Sequence, residues 1–317
     1  MVKFGTNCVI IPLEIVIVFT EKLTVCMFLE GKVMKDNRPT VVIIGAGFAG
    51  INAAKALRNA PVQVVLIDRN NHHLFQPLLY QVATAAIAPS EIAYPVRAIF
   101  RKQKNFKFRL AEVEWIDFEA RRVRTSTGEV PYDFLIIAVG GQTHFFGLDS
   151  VARHGFDLKD LTDALDLRSH ILRQFERASQ TTDPDELQAL RTFAVVGGGP
   201  TGVECSGALS ELTRLVLSKD YPNLNISDVR VILLEAMDKV LANMPEELSK
   251  VTARALERKH VELRFGASVA DYDGRVIRLK SGETIETNTL IWATGVRAST
   301  LLDTLGQEQD RSVRVKV

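Results

Sequence analysis

Cysteine is scarce in this chain. Cys8, Cys26 and Cys205 are the only three in 317 residues, and no two stand at a C-x-x-C or C-x-x-x-x-C spacing. That excludes a dithiol relay and argues against a cysteine-held zinc or iron–sulfur centre. The six histidines offer no ligand spacing either; His72 and His73 are simply neighbours. Charge of one sign is also missing. Lys and Arg number 39 against 38 Asp and Glu, a net charge of +1. No field is present to hold nucleic acid, and basic runs such as 101–107 read as solvated surface. The apolar runs are short. Cys8–Phe19 spans 12 residues with Pro12 and Glu14 inside it, and Leu23–Leu29 continues it after Glu21 and Lys22. Each falls short of the ~20 residues of a membrane-spanning helix. No small-residue cleavage site follows. Met34–Gly45 reads as a natural beginning. Residues 1–38 are therefore taken as an extension with the true start at Met34, and a membrane-associated segment is the rival reading.

What is present is a dinucleotide-binding fingerprint written twice. Val41–Gly50 (V-V-I-I-G-A-G-F-A-G) is followed by Val64–Asp68 (V-V-L-I-D), and Phe193–Gly202 (F-A-V-V-G-G-G-P-T-G) by Val231–Glu235 (V-I-L-L-E). Each is an apolar strand, a G-x-G-x-x-G turn, a helix and a second strand ending in an acid. Gly45 permits the tight turn, Gly47 clears the way for phosphates and Gly50 lets helix and strand pack closely; Gly197, Gly199 and Gly202 repeat these roles. A helix N-terminus carrying roughly half a positive charge then faces the pyrophosphate. Asp68 and Glu235 are placed to accept from ribose hydroxyls, and an acid there favours NADH over NADPH because a 2′-phosphate is repelled. Two copies in one chain imply two nucleotides held against each other, the layout for electron transfer between FAD and NAD(P)H. The second copy is longer: Glu235 lies 33 residues past Gly202, and Ser218–Asp228 reads as an added loop.

The length suffices for about two domains of α/β class. The periodicity predicts helices over Phe48–Asn59, near Ile92–Phe100, over Leu161–Ser179 and over Pro245–Lys259, and a strand over Phe106–Asp117. Ser218–Asp228 is read as an added loop, and His72–Ala83 as an apolar stretch of loop and helix that begins as a loop at Pro77. Each half closes alike, on Phe134–Gly141 (F-L-I-I-A-V-G-G) and on Thr289–Gly295 (T-L-I-W-A-T-G). That shared ending is a second internal repeat. Cys205, early in the helix after the second turn, reads as a packing residue.

The chain resembles the type II NADH dehydrogenases, single-polypeptide NADH:quinone oxidoreductases that pump no protons, within the two-dinucleotide-binding-domain flavoproteins. The more specific segments are Arg69–Thr84 (R-N-N-H-H-L-F-Q-P-L-L-Y-Q-V-A-T), Gly197–Glu204 (G-G-G-P-T-G-V-E) and Trp292–Arg297 (W-A-T-G-V-R). The resemblance implies two Rossmann-like domains, with an NAD(H)-binding domain (151–295) inserted in an FAD-binding domain (39–150, continued at 296–317). It implies that Gly45, Gly47, Phe48, Ala49, Gly50 and Asp68 hold the FAD pyrophosphate and ribose, with Arg69 and His73 along the same ligand. Gln76 and Pro77 would approach the isoalloxazine ring, Val113 would meet the adenine through its backbone, and Ala138, Val139 and Gly140 would flank the phosphates. Gly197, Gly198, Gly199, Pro200, Thr201, Gly202, Glu235, Thr294 and Gly295 would lie along NADH. Glu204 would stand near the nicotinamide–flavin contact and assist electron or proton transfer; the plainer reading is an acid in the first turn of a helix, worth about 0.3–1 kcal/mol.

The family's other implications are a quinone as electron acceptor, a peripheral place on the cytoplasmic face of the cell membrane, and a homodimer. The chain also departs from the pattern. No Gly-Asp pair follows Gly295, and Arg311–Val317 (R-S-V-R-V-K-V) reads as the start of the segment that would return to the FAD-binding domain. The family's C-terminal region, which shapes the quinone site and carries the membrane anchor, is missing on this reading. Two alternatives stay open: an incomplete fragment acting as an NADH-binding module, and a soluble NADH-dependent flavoprotein reductase with another acceptor. Sulfide–quinone and disulfide reductases are disfavoured, since each needs cysteines that this chain lacks.

Overall fold

The computed structural model describes residues 8–11, 15–18 and 38–305. The apolar run Leu23–Leu29, the start at Met34 and the tail Arg311–Val317 lie outside the described residues. The chain forms two compact units. The first comprises Met1–Leu74, Ala93–Gln142 and Val296–Val317; the second comprises Phe75–Ile92 and Thr143–Gly295. The division thus falls at Gln142/Thr143, and the segment Phe75–Ile92 groups with the second unit although it follows the first acid in sequence.

The first unit is built on a sheet in the order Cys8–Ile11, Ile15–Val18, Phe134–Ile137, Thr40–Ile44, Gln63–Asp68, Phe106–Leu110. From Ile15–Val18 onward all neighbours are parallel; Cys8–Ile11 alone is antiparallel, paired with Ile15–Val18. A parallel sheet needs cover on both faces, and the strand residues alternate accordingly. Val41, Ile43, Val64, Leu66 and Ile136 face one core, with Ile51, Ala53 and Ala54 from the helix Phe48–Ala56. Val42, Ile44, Ile67, Leu135 and Ile137 face another, with Ile116, Val123 and Val130 from the meander Val113–Asp117, Arg122–Thr125, Gly128–Pro131.

The second unit repeats the plan. Its parallel sheet runs Phe156–Asp157, Thr289–Trp292, Thr192–Val196, Arg230–Leu234, Val261–Arg264. Ala194, Val196, Ile232, Leu234, Leu290 and Trp292 pack on the meander Val269–Tyr272, Val276–Leu279, Thr284–Glu286. The helices Pro200–Glu211 and Glu246–Arg258 pack against each other and against the sheet strands. Strand order, meander and closing strand therefore recur in both halves, the physical form of the internal repeat.

Two sequence expectations need correction. Ser218–Asp228 is only partly a loop: the helix after the second turn runs on through a π-helical stretch, Leu212–Leu217, and a last turn at Ser218–Asp220. Leu212 and Leu217 are buried, so apolar anchoring carries the helix past its expected end. Phe106–Asp117 is two strands, Phe106–Leu110 and Val113–Asp117, belonging to different sheets. The apolar stretch after Asp68 forms the strand His72–Leu74, a 3-10 turn at Gln76–Leu78 and the helix Leu79–Ala83.

The helix Leu161–Ala178 is fixed to its sheet by His170, whose Nε2 lies 3.1 Å from the Asn288 carbonyl and 2.9 Å from Thr289 Oγ1. Burial pushes the His170 pKa down to about 4, and the charges of Arg173 and Arg177 add to the fall. The folded chain therefore holds this imidazole neutral, while the unfolded chain takes up its proton near pH 6.5. Stability supplied by His170 is full above pH 6.5 and is lost as pH falls toward 4. We expect His170→Gln to flatten the acid limb of the urea midpoint against pH, by about 2–3 kcal/mol between pH 7 and 4. Parallel curves for the two proteins would contradict this.

Candidate functional site

Each fingerprint folds into the same small construction. After Thr40–Ile44 the chain turns at Gly45, whose φ of +104° is closed to ordinary side chains, and its N–H donates to Ile67 C=O at 2.8 Å. After Thr192–Val196 it turns at Gly197, φ +110°, whose N–H donates to Leu234 C=O at 2.8 Å. A Cβ on Gly50 would run into the Gly45 carbonyl, and one on Gly202 into the Gly197 carbonyl. So the last glycine of each motif is dictated by backbone meeting backbone. A Cβ on Gly47 or Gly199, in contrast, meets nothing within 4 Å. These two face open space at the helix start.

Both helix starts are bare. Gly47 and Gly199 are the N-caps of Phe48–Ala56 and Pro200–Glu211, with no side-chain cap and no acid in the first turn. The positive end of each helix dipole thus points into open space at Gly47 and Gly199, the requirement of a bound phosphate. Phe48, Ala49, Pro200 and Thr201 form these first turns.

The acids occupy matching places. Asp68 accepts from Ala46 N–H (2.6 Å) and Asn70 N–H (2.7 Å). Glu235 accepts from Gly198 N–H and from Met237 N–H (2.8 Å). In each case one carboxylate oxygen grips the residue after the first glycine and the other grips the backbone two residues on. The acid is thereby anchored to its own turn, with lone pairs left to take hydroxyl donors. The closing strands complete both constructions. Ala138 N–H donates to Ile44 C=O (2.8 Å), and Ala293 N–H to Val196 C=O (2.9 Å). The Ala138 carbonyl lies against Gly45, and Ala293 and Thr294 lie against Gly197. Ala138, Val139 and Thr294 are therefore brought to the glycine turns of their own units, whereas a Cβ on Gly140 would meet nothing within 4 Å and one on Gly295 would lie against the His144 carbonyl and the Phe146 ring.

Other expected residues are distributed as follows. His73 is drawn to the first turn: its Nδ1 lies 2.9 Å from the Ala46 carbonyl and its ring meets Phe48 edge-on at 5.0 Å. Arg69 is exposed just after Asp68, and Val113 is half-buried, three residues beyond the end of Phe106–Leu110. Gln76 and Pro77 belong to the second unit, where Gln76 Nε2 donates to Lys159 C=O at 3.1 Å. Glu204 lies on Pro200–Glu211 beyond its first turn, which contains no acid. The helix-dipole account of Glu204 therefore fails, because that stabilisation fades within one turn. Partial burial raises its pKa above the ordinary carboxylate value. Sequence reasoning missed Lys159, Asp160 and Asp163, which cap the helix Leu161–Ala178: Asp160 accepts from Thr162 and Asp163 N–H, and Asp163 from Lys159 and Asp160 N–H. The D-x-x-D spacing before an apolar helix was the available signal. No cluster of three metal-ligating side chains exists among the described residues, and no described helix is long and apolar enough to cross a membrane.

A pair of such constructions defines a two-nucleotide oxidoreductase fold, and the sequence pattern of the pyridine nucleotide-disulphide oxidoreductases matches residues 39–317. Among curated relatives, the type II NADH:quinone oxidoreductase Ndh of Mycobacterium tuberculosis is 42% identical over 300 residues, covering 91% of this chain and 65% of its own length. That of Staphylococcus saprophyticus is 30% identical, covering 85% of this chain and 68% of its own. The chain belongs to the pyridine nucleotide-disulphide oxidoreductase family and, within it, to the type II NADH:quinone oxidoreductases. It spans about two thirds of the length of the mycobacterial relatives, 65% and 63%. In fold it is similar to NDH2 from Plasmodium falciparum in complex with NADH, with TM-score 0.79 and 24% identity over 84% of this chain and 57% of that one.

Proposed function

We propose that this chain binds FAD in its first unit and NADH in its second, oxidises NADH, and passes two electrons to a membrane quinone. The observation that carries the reading is the duplicated construction: bare helix start, open glycine and anchored acid, once with Asp68 and once with Glu235. The relatives' shared name, NADH:quinone oxidoreductase, supports the choice of donor and acceptor. FAD supplies the hydride acceptor for NADH and the two-electron donor for a quinone.

The chain's own residues do the positioning. Gly45, Gly47 and Gly50 with the N–H groups of Phe48 and Ala49 hold one pyrophosphate, and Asp68 takes ribose hydroxyls. Arg69, His73, Val113 and Ala138–Gly140 line the same ligand, with Gln76 and Pro77 toward its ring. Gly197–Gly202 and Glu235 repeat the arrangement for NADH, with Thr294 beside the turn and Gly295 following it. Glu235 excludes a 2′-phosphate by like charge. The Glu204 carboxyl, whose pKa is raised by partial burial, holds a proton more readily than an ordinary carboxyl and serves proton transfer. A peripheral site on the cytoplasmic face of the membrane and a homodimer follow from the family reading.

Acceptor profiling tests the last step. After reduction by NADH, re-oxidation by a short-chain quinone is expected to exceed that by oxygen by at least an order of magnitude, about 1.4 kcal/mol in barrier. Oxygen or one-electron dyes accepting faster than every quinone tried would replace the quinone reading with a soluble flavoprotein reductase.

A further inference from the structure

A chain of hydrogen bonds inside the second unit links the Gln76 turn to the start of the helix Leu161–Ala178. Gln76 Nε2 donates to Lys159 C=O (3.1 Å), and Lys159 N–H donates to Asp163 Oδ2 (2.9 Å). The same oxygen accepts Asp160 N–H (2.7 Å), and Asp160 Oδ1 returns bonds to Thr162 and Asp163 N–H (2.9 and 3.1 Å). Lys159 is thus held through its backbone on both sides. The turn Gln76–Leu78 is three residues long and none of them is buried; Phe75 N–H donates to Ile92 C=O at 2.8 Å and Leu78 N–H to Phe75 C=O at 3.2 Å, and the Gln76 side chain adds the link to the helix cap. The helix Leu79–Ala83 that follows packs on both Leu161–Ala178 and Pro200–Glu211.

We propose that Gln76 and Asp163 are positioning residues, which tie the segment Phe75–Ala83 to the helix cap through Lys159, and that the neutral Asp163 carboxyl, which spares the cap a buried charge, tightens the tie. The role in catalysis rests on the reading that this segment approaches the flavin ring. Gln76 then serves through its amide bond to Lys159, not by spending that N–H on the flavin.

The tie is pH-sensitive. Burial raises the Asp163 pKa to about 6; the backbone N–H bonds from Asp160 and Lys159 oppose the rise, and the charges of Asp157 and Asp160 add to it. The groups facing it are Asp157 from the strand Phe156–Asp157 and Lys159 and Asp160 from the cap. Leu79–Ala83 brings only Tyr80, and Pro184–Arg191 meets the far end of the helix through the Glu186–Arg177 pair. Below pH 6 the carboxyl becomes neutral, and because burial outweighs its two N–H bonds, the closed cap is favoured there and loosens as pH rises through 6.

Hydrogen–deuterium exchange on the full chain at pH 5 and 8, corrected for intrinsic rates, tests this without flavin or NADH. In the wild type, protection of the peptide Phe75–Ala83 is expected to rise about threefold from pH 8 to pH 5. Asp163→Asn, which fixes the neutral form, should show the high value at both pH values. Gln76→Leu, outside the helix cap, should lower protection at both. A pH response that persists in Asp163→Asn, or full protection in Gln76→Leu, overturns the proposal. With flavin bound, the rate of flavin reduction by NADH should be higher below pH 6 than at pH 8 in the wild type and stay flat in Asp163→Asn. If exchange responds as stated but NADH reduces no flavin in the wild type, the functional reading falls and the tie stands.

Discussion

Gly50→Val strips the flavin from the protein and leaves NADH binding in place, while Gly202→Val does the reverse. Each expectation follows from the same geometry. A side chain at Gly50 would meet the Gly45 carbonyl, and one at Gly202 the Gly197 carbonyl, so the turn has to open and the helix start moves off its place. Two N–H bonds to a charged phosphate, each worth ~1.5–3 kcal/mol, are lost with it. The combined loss of ~3–6 kcal/mol lowers affinity at least ~100-fold. The strain itself costs about 1–3 kcal/mol of fold stability, leaving the unaltered unit able to bind. Flavin absorbance per mole of purified protein and calorimetric titration with NADH measure the two effects separately. Retention of both ligands by either variant would show that the glycine turns are not the binding sites.

The second large effect belongs to Glu235. Its carboxylate is pinned by Gly198 N–H and Met237 N–H, which fixes a negative charge at the rim of the second turn. Placing a 2′-phosphate beside it costs several kcal/mol. Glu235→Ser is expected to raise the ratio of kcat/KM for NADPH over NADH by about 100-fold, that is ~2.7 kcal/mol. Part of the change comes from NADH, which loses its hydroxyl acceptor at ~1 kcal/mol. Glu235→Asp keeps the charge and should keep the preference. An unchanged ratio in Glu235→Ser would mean that the acid only braces the Gly198 turn.

The fingerprints were legible because their information is local: strand, glycine turn, helix and acid lie within one stretch of chain, and the last glycine of each answers the carbonyl of the first. The closing strands Phe134–Ile137 and Thr289–Trp292 were legible as repeated apolar runs, although their small-residue ends meet the turns at Gly45 and Gly197 from far along the chain. What escaped sequence reading depends on distant partners. Gln76 finds its acceptor 83 residues away, a relation that no periodicity encodes. The grouping of Phe75–Ile92 with the second unit arises from Leu79–Ala83 packing on helices that begin far downstream. Glu204 was placed one turn too early because a helix start is hard to fix from composition when glycine and proline share it. The extension of the second helix to Asp220 was hidden by its polar composition, although Leu212 and Leu217 are buried along it.

The family's name includes disulphide chemistry, but no two of the chain's three cysteines stand at a dithiol spacing. Cys205 is fully buried, and burial pushes its thiol up to about 12, so no thiolate is available at neutral pH. In the function proposed above, electrons from NADH pass to the flavin. Anaerobic titration of the purified chain with NADH, followed in the flavin absorbance band, tests this most directly. The account predicts bleaching that is complete near one NADH per flavin and reversed on adding a quinone. A flavin band that persists in excess NADH would contradict it.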